Sequence, residues 1–234
     1  MDVNRTTFKD SSNQENNKKK LIDILNIIAY LIPDLNYCQG MSYIASFLFQ
    51  LTKFKEEDTF YLMLAIMKNT EYKSIFDSDL KKLKNFFYSF DRLVAIYIPE
   101  VYQILQKHNL QVNYFCTSWF ITLFTNSCLH VDVENPPKIL LKIWDGFFLK
   151  GWKALLTTGL IVLKSNEAKL WEMDNNQLAK FLIEDIFDSE IFSDKCFDSY
   201  IEMNRKFNVK NEIMKNLEIE YVYKKNQKKS SEKN

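Results

Sequence analysis

The sequence predicts an all-α fold. Only 4 glycines and 4 prolines occur in 234 residues, too few for the many tight turns of a sandwich, a barrel or a doubly wound sheet. Long stretches without either residue carry apolar side chains three and four positions apart, the spacing of one helical face. The composition, 47% hydrophobic and 15% aromatic, supplies one sizeable core for a single large domain or two small ones.

Taken in order, residues 9–20 (KDSSNQENNKKK) contain no apolar side chain. They cannot offset their ordering entropy by burial, which predicts a flexible loop. Leu21, Ile24, Leu25, Ile28 and Ile32 predict a helix over 20–32, interrupted at Pro33 and Asp34 because proline disfavours helical geometry in the residue before it. A second apolar stretch runs from Met41 to Leu51, and Asp58 or Thr59 is the expected cap of a helix reaching Met67. The clearest periodicity lies at 79–107, where Leu83, Phe86, Phe87, Phe90, Leu93, Val94 and Tyr97 form one core stripe. Pro99 should kink or split that helix. Further helices are expected near 114–127, 136–149, 152–165, 175–187 and 194–206, with Pro136 and Pro137 at a helix start and Asp174 as a cap. A helical extension over 209–223 and a disordered lysine-rich tail over 224–234 complete the expected organisation.

The formal net charge is +1, so nothing argues for a global electrostatic grip on nucleic acid. Cys38, Cys116, Cys128 and Cys196 are scattered without metal-ligand spacing. With no secretory signal they read as reduced, cytosolic thiols. His108 and His130 cannot hold zinc by themselves. Charged residues interrupt every apolar stretch before the roughly 20 residues of a membrane span. A cytoplasmic protein is expected. Neither a nucleophile elbow, nor a phosphate-cradling glycine loop, nor a metal-binding histidine motif occurs, which points to chemistry carried out on a partner.

Two segments stand out: Asp2-Val3-Asn4-Arg5-Thr6 and Tyr37-Cys38-Gln39-Gly40-Met41-Ser42-Tyr43-Ile44. They resemble the two catalytic motifs of the TBC (Rab GTPase-activating) family, D-x-x-R-T and Y-x-Q-G-M, in the family's order and at a matching interval. The resemblance continues through Trp119-Phe120-Ile121-Thr122-Leu123-Phe124 and through Ile143-Trp144-Asp145-Gly146-Phe147-Phe148-Leu149 with Gly151. It covers roughly residues 1–208. It implies a TBC-type helical domain over 1–208, with Trp119, Phe124 and Trp144 in its core.

What the resemblance implies about function follows phosphoryl-transfer chemistry. Hydrolysis spreads negative charge over the γ-phosphoryl oxygens, and an arginine inserted in trans is worth roughly 10³–10⁵ in rate. A glutamine amide both donates and accepts, so it can orient the attacking water. Arg5 is then the arginine finger and Gln39 the glutamine finger. Asp2 would orient Arg5, Thr6 would support it, Tyr37 would pack beside the glutamine, and Gly40 would let the backbone approach the partner. The partner is a Rab-type small GTPase that itself binds GTP and Mg, so the chain needs no metal or cofactor of its own. It acts as an activator, not as the hydrolase, in vesicle trafficking. Any contact with endomembranes is peripheral and runs through that partner.

Other readings of the same residues stay open. Arg5 could be a solvated arginine near a terminus, Gln39 a polar turn residue, and Asp2 or Thr6 a helix cap. The TBC family carries several helices before D-x-x-R-T, including an R-x-x-x-W motif, and these are not in this sequence. The expectation is a domain lacking its first helices, and the alternative function is a non-catalytic GTPase- or adaptor-binding scaffold. Lys150 stands where the family often has Glu. Gly146 stands where it commonly has a larger apolar residue, at a cost of about 1 kcal/mol for a mid-helix glycine.

Overall fold

The computed structural model describes residues 13–32, 39–76, 80–125 and 137–231, and among them no strand occurs. Within the described residues twelve α-helices follow one another: α1 (Gln14–Leu31), α2 (Met41–Leu51), α3 (Glu56–Asn69), α4 (Lys81–Tyr97), α5 (Pro99–Lys107), α6 (Val112–Ile121), α7 (Lys138–Lys150), α8 (Trp152–Ser165), α9 (Glu167–Trp171), α10 (Asn175–Ile183), α11 (Phe197–Lys206) and α12 (Asn211–Ser231). Short 3-10 turns at Glu71–Phe76, Asp185–Asp188, Glu190–Phe192 and Asp194–Cys196 join some of them.

Burial explains the order of the layers. α8 is buried from Ala154 through Leu163 without a break, which suits a helix enclosed on all sides. α4, α6, α7, α9 and α11 pack around it, while α1, α2 and α3 pack on one another. The predicted stripe on α4 is core: Leu83, Phe86, Phe90, Leu93 and Val94 are buried, and Phe87 and Tyr97 are partly so. Pro99 splits 79–107 as expected, standing at the first position of α5, where its missing N–H leaves no bond unmade. Asp174 caps α10 with a reciprocal box, accepting from the Gln177 N–H while Gln177 accepts from the Asp174 N–H.

Several expectations need correction. Residues 14–20 are not a flexible loop but the opening of α1, where Asn17 is buried and Lys20 pairs with Glu56 of α3 at 2.7 Å. Residues 224–231 are not a disordered tail but the end of α12. That helix lies on α4, with Glu220 between Arg92 and Lys224 at 3.6 and 3.1 Å. Lys224 also sits 5.2 Å from the centre of the Tyr88 ring. In both cases polar residues with good helix propensity extend a helix already anchored by packing.

Neither Asp58 nor Thr59 caps α3, which starts at Glu56; Thr59 is buried one turn inside it and donates to the Lys55 carbonyl at 2.7 Å. α10 stops at Ile183, short of the expected 187, and Asp194–Cys196 is a 3-10 turn ahead of α11. Asp145 is exposed on α7. Gly146 has a packing reason: a Cβ there would meet the Cβ of Ala154 at 3.2 Å, so the missing side chain lets α7 and α8 approach closely.

Candidate functional site

Gln39 and Gly40 form the turn that enters α2. Gly40 has φ +112, a backbone conformation that side-chain-bearing residues rarely adopt. Its carbonyl accepts the Tyr43 N–H at 3.2 Å, and Met41, Ile44, Ala45 and Leu48 then bury the face of α2 that follows. The Gln39 residue is exposed while Gly40 beside it is buried. A neutral carboxamide is therefore presented to solvent from a turn whose floor is core.

That floor is the end of α6. A Cβ on Gly40 would stand 2.5 Å from Cγ2 of Ile121. The expected role of Gly40, close backbone approach to a partner, is therefore accompanied by a close approach inside the chain. Ile121 is held in turn, because its carbonyl accepts from the hydroxyl of fully buried Tyr72 at 2.5 Å. α6 ends here rather than at 127: Leu123 and Phe124 take left-handed φ values of 50 and 64, and the Phe124 N–H returns to the Trp119 carbonyl at 2.8 Å. Trp144 of α7 donates its indole N–H to the Leu123 carbonyl at 3.1 Å. Backbone and side chain thus fix the surface against which Gly40 rests. Tyr72 was not singled out by any motif; only its burial beside the W-F segment reveals its part.

Gly40→Ala is expected to destabilise the chain by about 2–3 kcal/mol, combining the left-handed penalty with the clash on Ile121. Urea unfolding monitored by circular dichroism reads this directly. A loss below about 0.5 kcal/mol would show that neither constraint is tight.

Of the other sequence-derived site residues, Asp2, Arg5, Thr6 and Tyr37 lie outside the described residues, as do Cys38 and Cys128. Cys116 is fully buried, and burial pushes its thiol well above the ordinary range, which makes it unreactive as a nucleophile. Among the described residues no group of three or more His, Cys, Asp or Glu side chains converges. None of their helices is long and apolar enough to cross a membrane.

Comparison with known families matches residues 1–171 to the Rab-GTPase-TBC domain. The chain belongs to this family. The TBC match spans both motif segments and continues through α9. Among its relatives, the small G protein signaling modulator 3 homolog of Xenopus laevis is 32% identical over 157 residues, 67% of this chain and 20% of that protein. The GTPase-activating protein GYP5 of Saccharomyces cerevisiae is 26% identical over 202 residues, 86% of this chain and 21% of that protein. The TBC chain thus spans about a fifth of the length of the curated relatives it matches. Its fold is similar to the crystal structure of the Chlamydomonas flagellar RabGAP TBC domain, with a TM-score of 0.62 at 20% identity, covering 80% of this chain and 58% of that one.

Proposed function

We propose that the chain is a GTPase-activating protein for Rab-family small GTPases, supplying Arg5 as an arginine finger and Gln39 as a glutamine finger. The observation that carries this reading is Gln39 itself, exposed on a turn whose neighbour Gly40 is pinned to the core. A water-orienting group contributes most when its geometry is set before the partner arrives. The carboxamide oxygen accepts a hydrogen bond from the attacking water while its NH₂ donates toward the phosphoryl oxygens. Arg5, preceded by Asp2 in the D-x-x-R-T segment, meets the charge that develops as the γ-phosphoryl group is transferred, with Asp2 orienting the guanidinium and Thr6 in support. GTP and Mg belong to the partner, and the bond is broken there. The chain works where that partner sits, in the cytoplasm and at the surface of endomembranes during vesicle trafficking.

The test is single-turnover phosphate release from a panel of GTP-loaded Rab proteins with and without this chain. Acceleration of at least one member is expected, and Gln39→Ala should reduce it by roughly 10²–10³-fold. Binding of GTP-loaded partners with no acceleration across the panel would sink the catalytic reading and leave a GTPase-binding scaffold.

A further inference from the structure

α12 has two faces, and only one of them meets the domain. Leu217 is buried and Ile213, Met214 and Tyr221 are partly so. With Glu220 and Lys224 they occupy the side that lies on α4. At about 100° per residue, the opposite side carries Glu212, Lys215, Ile219, Val222 and Tyr223. Ile219 is 59% exposed, Val222 51% and Tyr223 63%. They stand three and four positions apart and form one apolar stripe at the middle of the outer face. The TBC match ends at residue 171, so the activity shared within the family gives no reason for this stripe.

The charges beside it are self-complementary. Glu218 and Lys225 lie seven residues apart, which puts them on the same flank of the stripe. Neither forms an ion pair among the described residues, whereas Glu220 and Lys224, on the α4 side, pair with each other. Consider a second α12 laid antiparallel over the first, with a two-fold axis near Tyr221. Ile219 then packs on the second copy's Val222, and Val222 on its Ile219. The same register sets Glu218 against the second copy's Lys225, twice by symmetry. A parallel pair would set Glu218 against Tyr223 and leave both charges unanswered. Opposed helix dipoles favour the antiparallel arrangement as well. An anionic bilayer is a poorer fit, because exposed Glu212 and Glu218 stand on or beside the stripe.

We infer that two copies of this chain associate through an antiparallel contact between their α12 helices, centred on Ile219 and Val222 and registered by Glu218 and Lys225. The contact is small, so its dissociation constant is expected at roughly 1–100 µM.

Sedimentation velocity on the full chain from about 2 to 200 µM tests this. Expected is a shift from 27.9 kDa toward twice that mass. Ile219→Asp with Val222→Asp, both at exposed positions, should leave the circular dichroism unchanged and hold the chain monomeric. Glu218→Lys alone, or Lys225→Glu alone, turns both attractive pairs repulsive and should weaken association by about tenfold. Combining the two should restore it to within about threefold. A monomer at every concentration would overturn the inference. So would a dimer that the stripe variants leave intact, or a charge reversal that the combination fails to restore. A monomer that instead sediments with phosphatidylserine vesicles, and loses this with Val222→Asp, would give the stripe to a lipid surface and overturn it too. No GTPase takes part, so the result is separable from the fate of the activator reading.

Discussion

Arg5→Ala should abolish most of the stimulated hydrolysis, by roughly 10³-fold or more in single-turnover rate, with partner binding changed only a few-fold. The asymmetry comes from where the charge appears. The ground-state nucleotide is already neutralised by the GTPase and its Mg, and the extra charge on the bridging and γ-phosphoryl oxygens exists only on the way to products. Arg5→Lys should not rescue the rate, because an ammonium is a point charge and lacks the planar fork that spans two oxygens. Equal loss of binding and rate would instead make Arg5 a docking residue. An unchanged rate would remove it from the mechanism.

The largest effect on stability is expected at Trp119. It is fully buried, its ring meets those of Phe90, Phe115, Phe124 and Phe187 at 6.4, 5.0, 6.0 and 6.2 Å, and its indole N–H donates to the Leu182 carbonyl at 3.3 Å. It joins α4, α6 and α10 at one point. Trp119→Ala should cost about 3–5 kcal/mol from lost burial and the remaining cavity. At roughly 2–4 °C per kcal/mol for a chain of this size, the melting midpoint should fall by roughly 10 °C. Trp119→Phe should cost less, since it keeps an aromatic ring and loses mainly the bond to Leu182. Thermal unfolding by circular dichroism separates the two variants, and a shift under about 2 °C for Trp119→Ala would show that the centre of the core lies elsewhere.

How far the sequence speaks depends on whether a residue's reasons are local. α2 is legible because an apolar run follows a glycine, and the α4–α5 division is legible because Pro99 has only one comfortable place in a helix. The cap at Asp174 is legible for the same reason, whereas its reciprocal partner Gln177 emerges only from the structure. The two polar helix segments were not. Lys20 needs Glu56, and Lys224 needs Glu220 and the ring of Tyr88 on α4, and a window of lysines and asparagines reveals none of these partners. α9 is not legible either, because five residues are too few to display a period. At the candidate site the motif names Gln39 and Gly40, yet the reason Gly40 admits nothing larger is Ile121, far along the chain. The proposed role of Arg5 rests on its motif and on the chemistry of phosphoryl transfer.

The end of α6 belongs to a wider habit of this chain. Lys53 and Phe54 after α2, Asn109 after α5, and Leu123 and Phe124 after α6 all take left-handed φ values. In each case an N–H closes the helix by reaching back five residues, at 2.8 Å from Phe54, 2.9 Å from Leu110 and 2.8 Å from Phe124. Most proteins give such positions to glycine. Here glycine is scarce, and four of these five residues are neither glycine nor asparagine. A left-handed residue with a Cβ is strained by about 1 kcal/mol. The price is steady, and so is the return: a bulky side chain in the unfolded chain explores fewer backbone states than glycine would. Phe54 and Leu123 also fill the core from the turn itself. Helix termination and core filling have been merged into the same residues, so a mutation that smooths one of these turns removes packing with it.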